Sequence, residues 1–324
     1  MCPGAGAERS PPLFVLTGVV VARAAHERCA KLRLAMNVAA EHVRVEPVFT
    51  IEGLDYRYPG AETDALRAFE LHVAAGEYVV VVGANGSGKS TLSRVLGGLE
   101  SPTRARRAQA CGHDLLAVEG RLTARRDVGV LFQNPDNQLV AQCVEEDIAF
   151  GLENLGWSAA AMRQRVDEML RRFDLEPLRL REPHLLSGGQ KQRTALAGVL
   201  AIPRRVLILD EPTAMLDPQG REEVLTALAE LHAEGLTVVL VTHEMDEVVD
   251  AGRVVALDAG TKAFDGPPAE FFGDLGLVSR LRLGLPVPAE LALALAARGR
   301  EFRRLPFTLD DLIVDLAPEV TFEN

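Results

Sequence analysis

Gly83-Ala84-Asn85-Gly86-Ser87-Gly88-Lys89-Ser90 puts three glycines, an amine and two hydroxyls into one eight-residue turn. Burying a chain of phosphates demands many N–H donors and few intervening side chains. A strand that runs through a glycine-rich turn into a helix meets that demand, and the helix dipole favours the negative charge. Gly83, Asn85, Gly86, Ser87 and Gly88 are the candidate cradle, with Thr91 in the helix that follows. Lys89 is placed to reach the β and γ phosphates of ATP, and the Ser90 hydroxyl to ligate Mg²⁺.

Arg205-Val206-Leu207-Ile208-Leu209-Asp210-Glu211 is an apolar run that ends in two carboxylates. Continuous apolar character marks a parallel strand covered on both faces, and open α/β sheets bind ligands beyond the carboxyl ends of such strands. Asp210 is the candidate Mg²⁺-side carboxylate and Glu211 the candidate base that polarises the attacking water.

Leu186-Ser187-Gly188-Gly189-Gln190 stands between these two motifs. The S-x-x-Q spacing of Ser187 and Gln190 is a capping box opening a helix over Lys191 to Leu200, which by itself requires no nucleotide. Two glycines in the first turn cost that helix about 1 kcal/mol each relative to alanine. They make sense where bare backbone must approach an anion.

With these three motifs in this order, the chain resembles the ATP-binding cassette (ABC) ATPases. The resemblance implies that two cassettes sandwich two ATP molecules, Ser187, Gly188, Gly189 and Gln190 of one chain facing the γ phosphate held by the other. It also implies roles for residues that spacing alone does not single out. Gln133, after Val128-Gly129-Val130-Leu131-Phe132, matches the Q-loop glutamine that senses Mg²⁺ and touches the membrane partner. Leu216-Asp217 matches the D-loop at the dimer interface, and His243, after Thr237-Val238-Val239-Leu240-Val241-Thr242, matches the switch histidine at the γ phosphate. Tyr58, before Pro59, matches the aromatic residue that stacks on adenine, with Tyr56 as the alternative.

Within that family, Phe132-Gln133-Asn134-Pro135-Asp136-Asn137-Gln138, Val144-Glu145-Glu146-Asp147-Ile148-Ala149-Phe150-Gly151 and Thr213-Ala214-Met215-Leu216-Asp217-Pro218 are similar to the energy-coupling factor (ECF) transporter ATPases. These energise import of vitamins or transition-metal ions. The likeness covers about residues 48–270 and implies a second ABC ATPase subunit, identical or not, a transmembrane coupling protein and a small membrane protein that captures substrate. It places the chain at the cytoplasmic face of the cell membrane. Two other readings stay open: a soluble ABC ATPase acting on nucleic acid or ribosomes, and a non-catalytic ATP-dependent interaction module. The first usually carries a long coiled-coil insert or two cassettes, and the second has no use for Glu211 and His243.

The elements that must position these residues follow from the punctuation. The fold expected is α/β: a RecA-like P-loop core with strands near 79–83, 128–132, 206–210 and 237–242, and an antiparallel β portion over 47–80. A helical subdomain spans about 134–186. It contains a helix from Ser158 with Met162, Val166, Met169, Leu170 and Phe173 on one face. Asp217-Pro218 opens a helix that Gly235 stops. The ATPase domain is expected over 47–265. A C-terminal helical subdomain over 266–324, with helices at Pro288 to Arg298 and Thr308 to Leu316, would by resemblance hold the cassettes together. Arg104-Ala105-Arg106-Arg107 departs from the family pattern, and reads as a solvated loop, in preference to a contact with anionic lipid or a partner, in an irregular stretch of the β portion. Residues 1–46 read as an extension outside the pattern, with Met36 a more ordinary start.

A net charge of −11 disfavours nucleic acid as a partner. Cys2, Cys29, Cys111 and Cys143 form no C-x-x-C pair, which fits a reducing compartment. His26, His42, His72, His113, His184 and His232 show no metal-ligand spacing. No run approaches the ~20 apolar residues of a membrane span, Leu13 to Ala22 being the nearest.

Overall fold

The computed structural model describes residues 47–302 and 304–316; the expectations for residues 1–46 lie outside the described residues. Strand β1 (Pro47–Tyr56) pairs antiparallel with β2 (Leu66–Ala74), and β3 (Tyr78–Gly83) leads into helix α1 (Lys89–Leu96). Short strands β4 (Arg107–Ala110) and β5 (His113–Asp114) precede α2 (Val118–Asp127) and β6 (Val128–Leu131). A 3₁₀ turn at Pro135–Asn137 begins a helical stretch comprising α3 (Val144–Asn154), α4 (Ala159–Arg172) and α5 (Gly188–Ala201). The order continues with β7 (Val206–Asp210), α6 (Pro218–Ala233), β8 (Thr237–Val241), the single turn α7 (Met245–Val248), β9 (Arg253–Asp258) and β10 (Thr261–Gly266). Helices α8 (Pro268–Gly273), α9 (Leu275–Arg280), α10 (Val287–Ala296) and α11 (Leu309–Leu316) follow.

The main sheet has the order β10-β9-β3-β8-β7-β6, parallel from β9 to β6 with β10 antiparallel at one edge. Its inner strands β3, β7 and β8 lack polar alternation because both faces are covered. Val80, Val82, Leu207, Leu209, Val238 and Leu240 join a core with residues of α3, α4 and α5. Their neighbours Val79, Val81, Val206, Ile208, Val239 and Val241 face a second core with α1 and the smaller sheet, of order β2-β1-β4-β5. Burial of each such side chain stabilises the fold by about 1.5–3 kcal/mol relative to exposure.

Local signals set the helix ends. Ser158 caps α4 by accepting from Ala161 N, and Val166, Met169 and Leu170 are its buried residues. Asp217 caps α6 by accepting from Gly220 N at 2.8 Å, with Pro218 in the first turn. Gly235, at φ +99°, turns the chain back toward β8. Helices α8 and α9 pack into the main core through Phe271, Phe272, Leu277 and Val278, and Phe307 lies 5.3 Å from the Phe272 ring.

Two expectations are corrected. The antiparallel portion does not extend to residue 80, because Tyr78 begins the central parallel strand; β4 and β5 complete the small sheet instead. Nor is Arg104-Arg107 loop throughout, although its three arginines are exposed as expected. Arg104 bridges to Asp55 at 2.6 Å, Arg106 to Glu70 at 2.7 Å, and Arg107 opens β4, in register opposite Glu52 on β1. Acidic residues on β1 and β2, distant in sequence, absorb the cluster.

Candidate nucleotide site

The parallel register brings the carboxyl ends of β3, β6, β7 and β8 to one rim. Asp210 pairs with Val241, Val81 with Val241, and Leu131 with Leu209. Just beyond those ends stand the phosphate loop, Gln133, Glu211 and His243, so one sheet edge gathers the candidate residues that lie up to 160 positions apart (243 − 83).

The phosphate loop is shaped by two tight approaches. A Cβ on Gly83 would lie 2.4 Å from Leu257 O, and one on Gly88 2.6 Å from Ala65 O, with Gly88 at φ +105°. Any other residue at these positions would force the backbone off its path. Asn85 and Gly86 are exposed at the turn, while Ser87 is buried with its Oγ unpartnered. Lys89 is buried, its Nζ donating to Gly83 O at 2.7 Å and Ala84 O at 3.2 Å. Burial pushes its amine below the ordinary lysine value, and the carboxylates of Glu211 and Asp210 oppose that shift. Bare backbone, a buried hydroxyl and a desolvated ammonium suit a polyanion.

Asp210 is 7% exposed, and burial raises its carboxyl above the usual range against a hydrogen bond from Ser90. Among the described residues no group of three or more His, Cys, Asp or Glu could hold a metal ion. One hydroxyl with one carboxylate is still a fitting donor set for Mg²⁺, which retains waters and takes phosphate oxygens. Glu211 stands in the left-handed region at φ +50°, a conformation costing about 1–3 kcal/mol for a non-glycine residue. Its Oε2 accepts from Gln133 Nε2 at 2.7 Å, and its Oε1 lies 3.1 Å from His243 Nδ1.

The capping box is present in full. Ser187 Oγ accepts from Gln190 N at 3.3 Å, and Gln190 Oε1 accepts from Ser187 N at 3.0 Å. A Cβ on Gly188 or Gly189 would meet nothing nearer than 3.4 Å, so this chain's own packing does not require either glycine. Tyr58 is half-buried with its hydroxyl 3.0 Å from Thr91 Oγ1, at the start of α1. Tyr56 is 3% exposed and donates to Glu100, so Tyr58 is the more accessible of the two tyrosines. One contact carried no motif: Lys191 Nζ, one residue after Gln190, reaches Asp136 Oδ1 at 2.6 Å, joining α5 to the turn that follows Gln133.

The ABC transporter family profile matches residues 66–214. The energy-coupling factor transporter ATP-binding protein EcfA1 of Symbiobacterium thermophilum is 46% identical over 275 residues, covering 82% of this chain and 96% of the relative. The protein of the same name from Clostridium novyi is 42% identical over 272 residues, covering 83% and 97%. Among solved structures, cbiO1 of Clostridium perfringens, described as part of the ABC transporter complex cbiONQ, aligns with a TM-score of 0.66 and 33% identity over 79% of this chain and 99% of that one. A dimeric ATP-binding cassette in a post-hydrolysis state, bound to ADP and Pi, aligns with a TM-score of 0.63 and 28% identity over 68% and 98%. Motifs, layered fold and these relatives agree: the chain belongs to the ABC transporter ATPases, among the energy-coupling factor transporter ATP-binding proteins.

Proposed function

We propose that this chain binds and hydrolyses ATP as one cassette of an ECF-type importer, energising uptake of a vitamin or transition-metal ion through membrane partners. The observation that carries the reading is the rim of the parallel sheet, where Glu211, bracketed by Gln133 and His243, shares an edge with the phosphate loop and the Ser90–Asp210 pair.

Gly83, Asn85, Gly86, Ser87 and Gly88 wrap the phosphates with backbone N–H groups, and Lys89 exchanges its two carbonyl partners for phosphate oxygens. Ser90 and Asp210 would hold Mg²⁺, directly or through water, together with Gln133. The ion, when bound, neutralises charge on the β and γ phosphates. Glu211 orients and polarises the attacking water, His243 steadies the γ phosphate, and Tyr58 offers a ring to adenine. Gly188 and Gly189 serve the partner cassette's nucleotide, which accounts for glycines that their own chain does not need.

No described helix is long and apolar enough to cross a membrane. The transport step therefore falls to partners: a second ATPase subunit, a transmembrane coupling protein and a substrate-capture protein, with this chain peripheral at the cytoplasmic face. A nucleic-acid role is disfavoured by the net charge of −11. The longest described helix is α6 at 16 residues, too short for the coiled-coil arm such a role usually brings.

Gentle purification of the full chain in detergent, followed by mass spectrometry of what accompanies it and a phosphate-release assay on the assembly, tests the reading. Membrane companions and ATP-dependent phosphate release are expected. An assembly without membrane proteins would overturn the transport role, and one without phosphate release the enzymatic role.

A further inference from the structure

His243 is held from two sides. Its Nδ1 lies 3.1 Å from Glu211 Oε1 and its Nε2 3.6 Å from Glu244 Oε1. Glu244 is gripped in turn by the fork of Arg221, whose Nη1 donates to Oε2 at 3.2 Å while Nη2 stands 3.2 Å from Oε1. The same guanidinium presents Nε 3.8 Å from Oε1 of Glu247. Glu247 is 6% exposed, and that oxygen also accepts a short hydrogen bond from Thr213 Oγ1. Thr213, 1% exposed, is two residues past Glu211.

One cation thus joins the exit of β8, the turn α7 and the first turn of α6. It also ties together both ends of the segment between Thr213 and the Asp217 cap. Within that segment Ala214 and Met215 are exposed, Met215 by 56%. A planar fork that grips a carboxylate at two points fixes orientation as well as distance, which an ammonium cannot do. Two glutamates around one guanidinium also mean that its removal leaves the buried Glu247 charge without its cation and frees Glu244 from the imidazole.

We propose that Arg221 is a positioning residue for hydrolysis: through Glu244 it sets the His243 imidazole against Glu211, and through Glu247 and Thr213 it makes that setting depend on the exposed Ala214–Leu216 segment. The inference rests on the reading that His243 serves the γ phosphate. A partner subunit that presses on Met215 then moves Thr213 and the Asp217 cap together, and the guanidinium transmits the shift to the catalytic histidine.

The test is a double-variant cycle on the full chain in its purified transporter complex, with MgATP as substrate. Arg221→Met is expected to lower kcat about tenfold while changing the KM for ATP less than about twofold, because the group acts through the transition-state contact alone. Arg221→Lys should not restore turnover. In a His243→Ala background, Arg221→Met should subtract nothing further, since residues acting as one unit are non-additive. Losses that multiply in the double variant, with His243→Ala itself impaired, would leave the histidine's role standing and overturn the proposal. Full turnover in His243→Ala alone would remove the role of the histidine, and the proposal with it. If Arg221→Met does not fold, Glu244→Gln enters the same cycle with the same expectations.

Discussion

Gln133 Nε2 donates to Glu211 Oε2 at 2.7 Å, across 78 residues of sequence. The same carboxylate faces His243 Nδ1 with its other oxygen, so both oxygens are engaged and its side chain is only 13% exposed. Each oxygen keeps a second lone pair with which a water can be held between these partners. The residue resembling the Q-loop glutamine thus touches the proposed base directly.

Glu211→Gln keeps the shape of the group and removes its basicity. Turnover is expected to fall by ~10² to 10⁴, the usual share of general-base help, with ATP affinity retained. Phosphate release and equilibrium nucleotide binding on the same preparation check this. Near-normal hydrolysis would assign the base elsewhere.

Lys89→Ala removes the one buried ammonium of the phosphate loop. A charge-assisted hydrogen bond of about 1.5–3 kcal/mol corresponds to ~10- to 100-fold in ATP affinity. Calorimetric titration with ATP reads the loss directly, and unchanged affinity would contradict the placement of Lys89 at the phosphates.

Gly189→Ala separates stability from function. Gly189 lies in the first turn of α5, and an added Cβ would meet only Leu216 Cδ2, at 3.5 Å. The variant is expected to raise unfolding stability by about 0.5–1 kcal/mol, because alanine suits a helix better and restricts the unfolded chain. Turnover is expected to fall, because the methyl group intrudes on the partner's phosphate. Denaturant melts and ATPase rates together decide it: a variant both stabilised and fully active would leave the glycines unexplained.

Asp265 gives a pH signature remote from the nucleotide. Burial opposes its ionisation, and hydrogen bonds from Arg253 and Lys262 overcome that, leaving its carboxyl below the usual range. Arg253 also reaches Glu77 at 3.0 Å and His72 O at 2.9 Å, so the pair ties β9 and β10 to the turn before β3. A depressed folded-state value stabilises above the unfolded value of ~4 and loses that contribution as pH falls through the folded one. Asp265→Asn is therefore expected to be less stable than the parent at pH 7, with the gap narrowing as pH drops below ~4. Denaturant midpoints at the two pH values test this, and a gap that widens in acid would reverse the sign.

The parts of this architecture that were legible in the sequence are those encoded locally. Apolar runs marked β3 and β7, and Ser187 with Gln190, Ser158 and Asp217-Pro218 marked helix starts that the structure reproduces. What the sequence hid depends on partners far along the chain. Arg104 and Arg106 are exposed as the sequence implies, but their ion pairs with Asp55 and Glu70 span 49 and 36 residues. β4 shows too short an alternation to announce its pairing with β1, although Ala108 and Ala110 are fully packed beneath it. The contact of Arg221 with Glu244 bridges 23 residues between two elements and matches no motif spacing. Only the tertiary fold discloses it.

The central claim is that two cassettes complete each other's nucleotide sites through the capped glycine pair of α5. The direct measurement is the solution mass of the full-length Glu211→Gln chain with its natural companion cassette, with and without MgATP. The account predicts pairing only with MgATP, and loss of that pairing in Glu211→Gln/Gly188→Arg while ATP binding persists. ATP-bound chains that stay monomeric beside their companion, or pairing indifferent to an arginine at position 188, would contradict it.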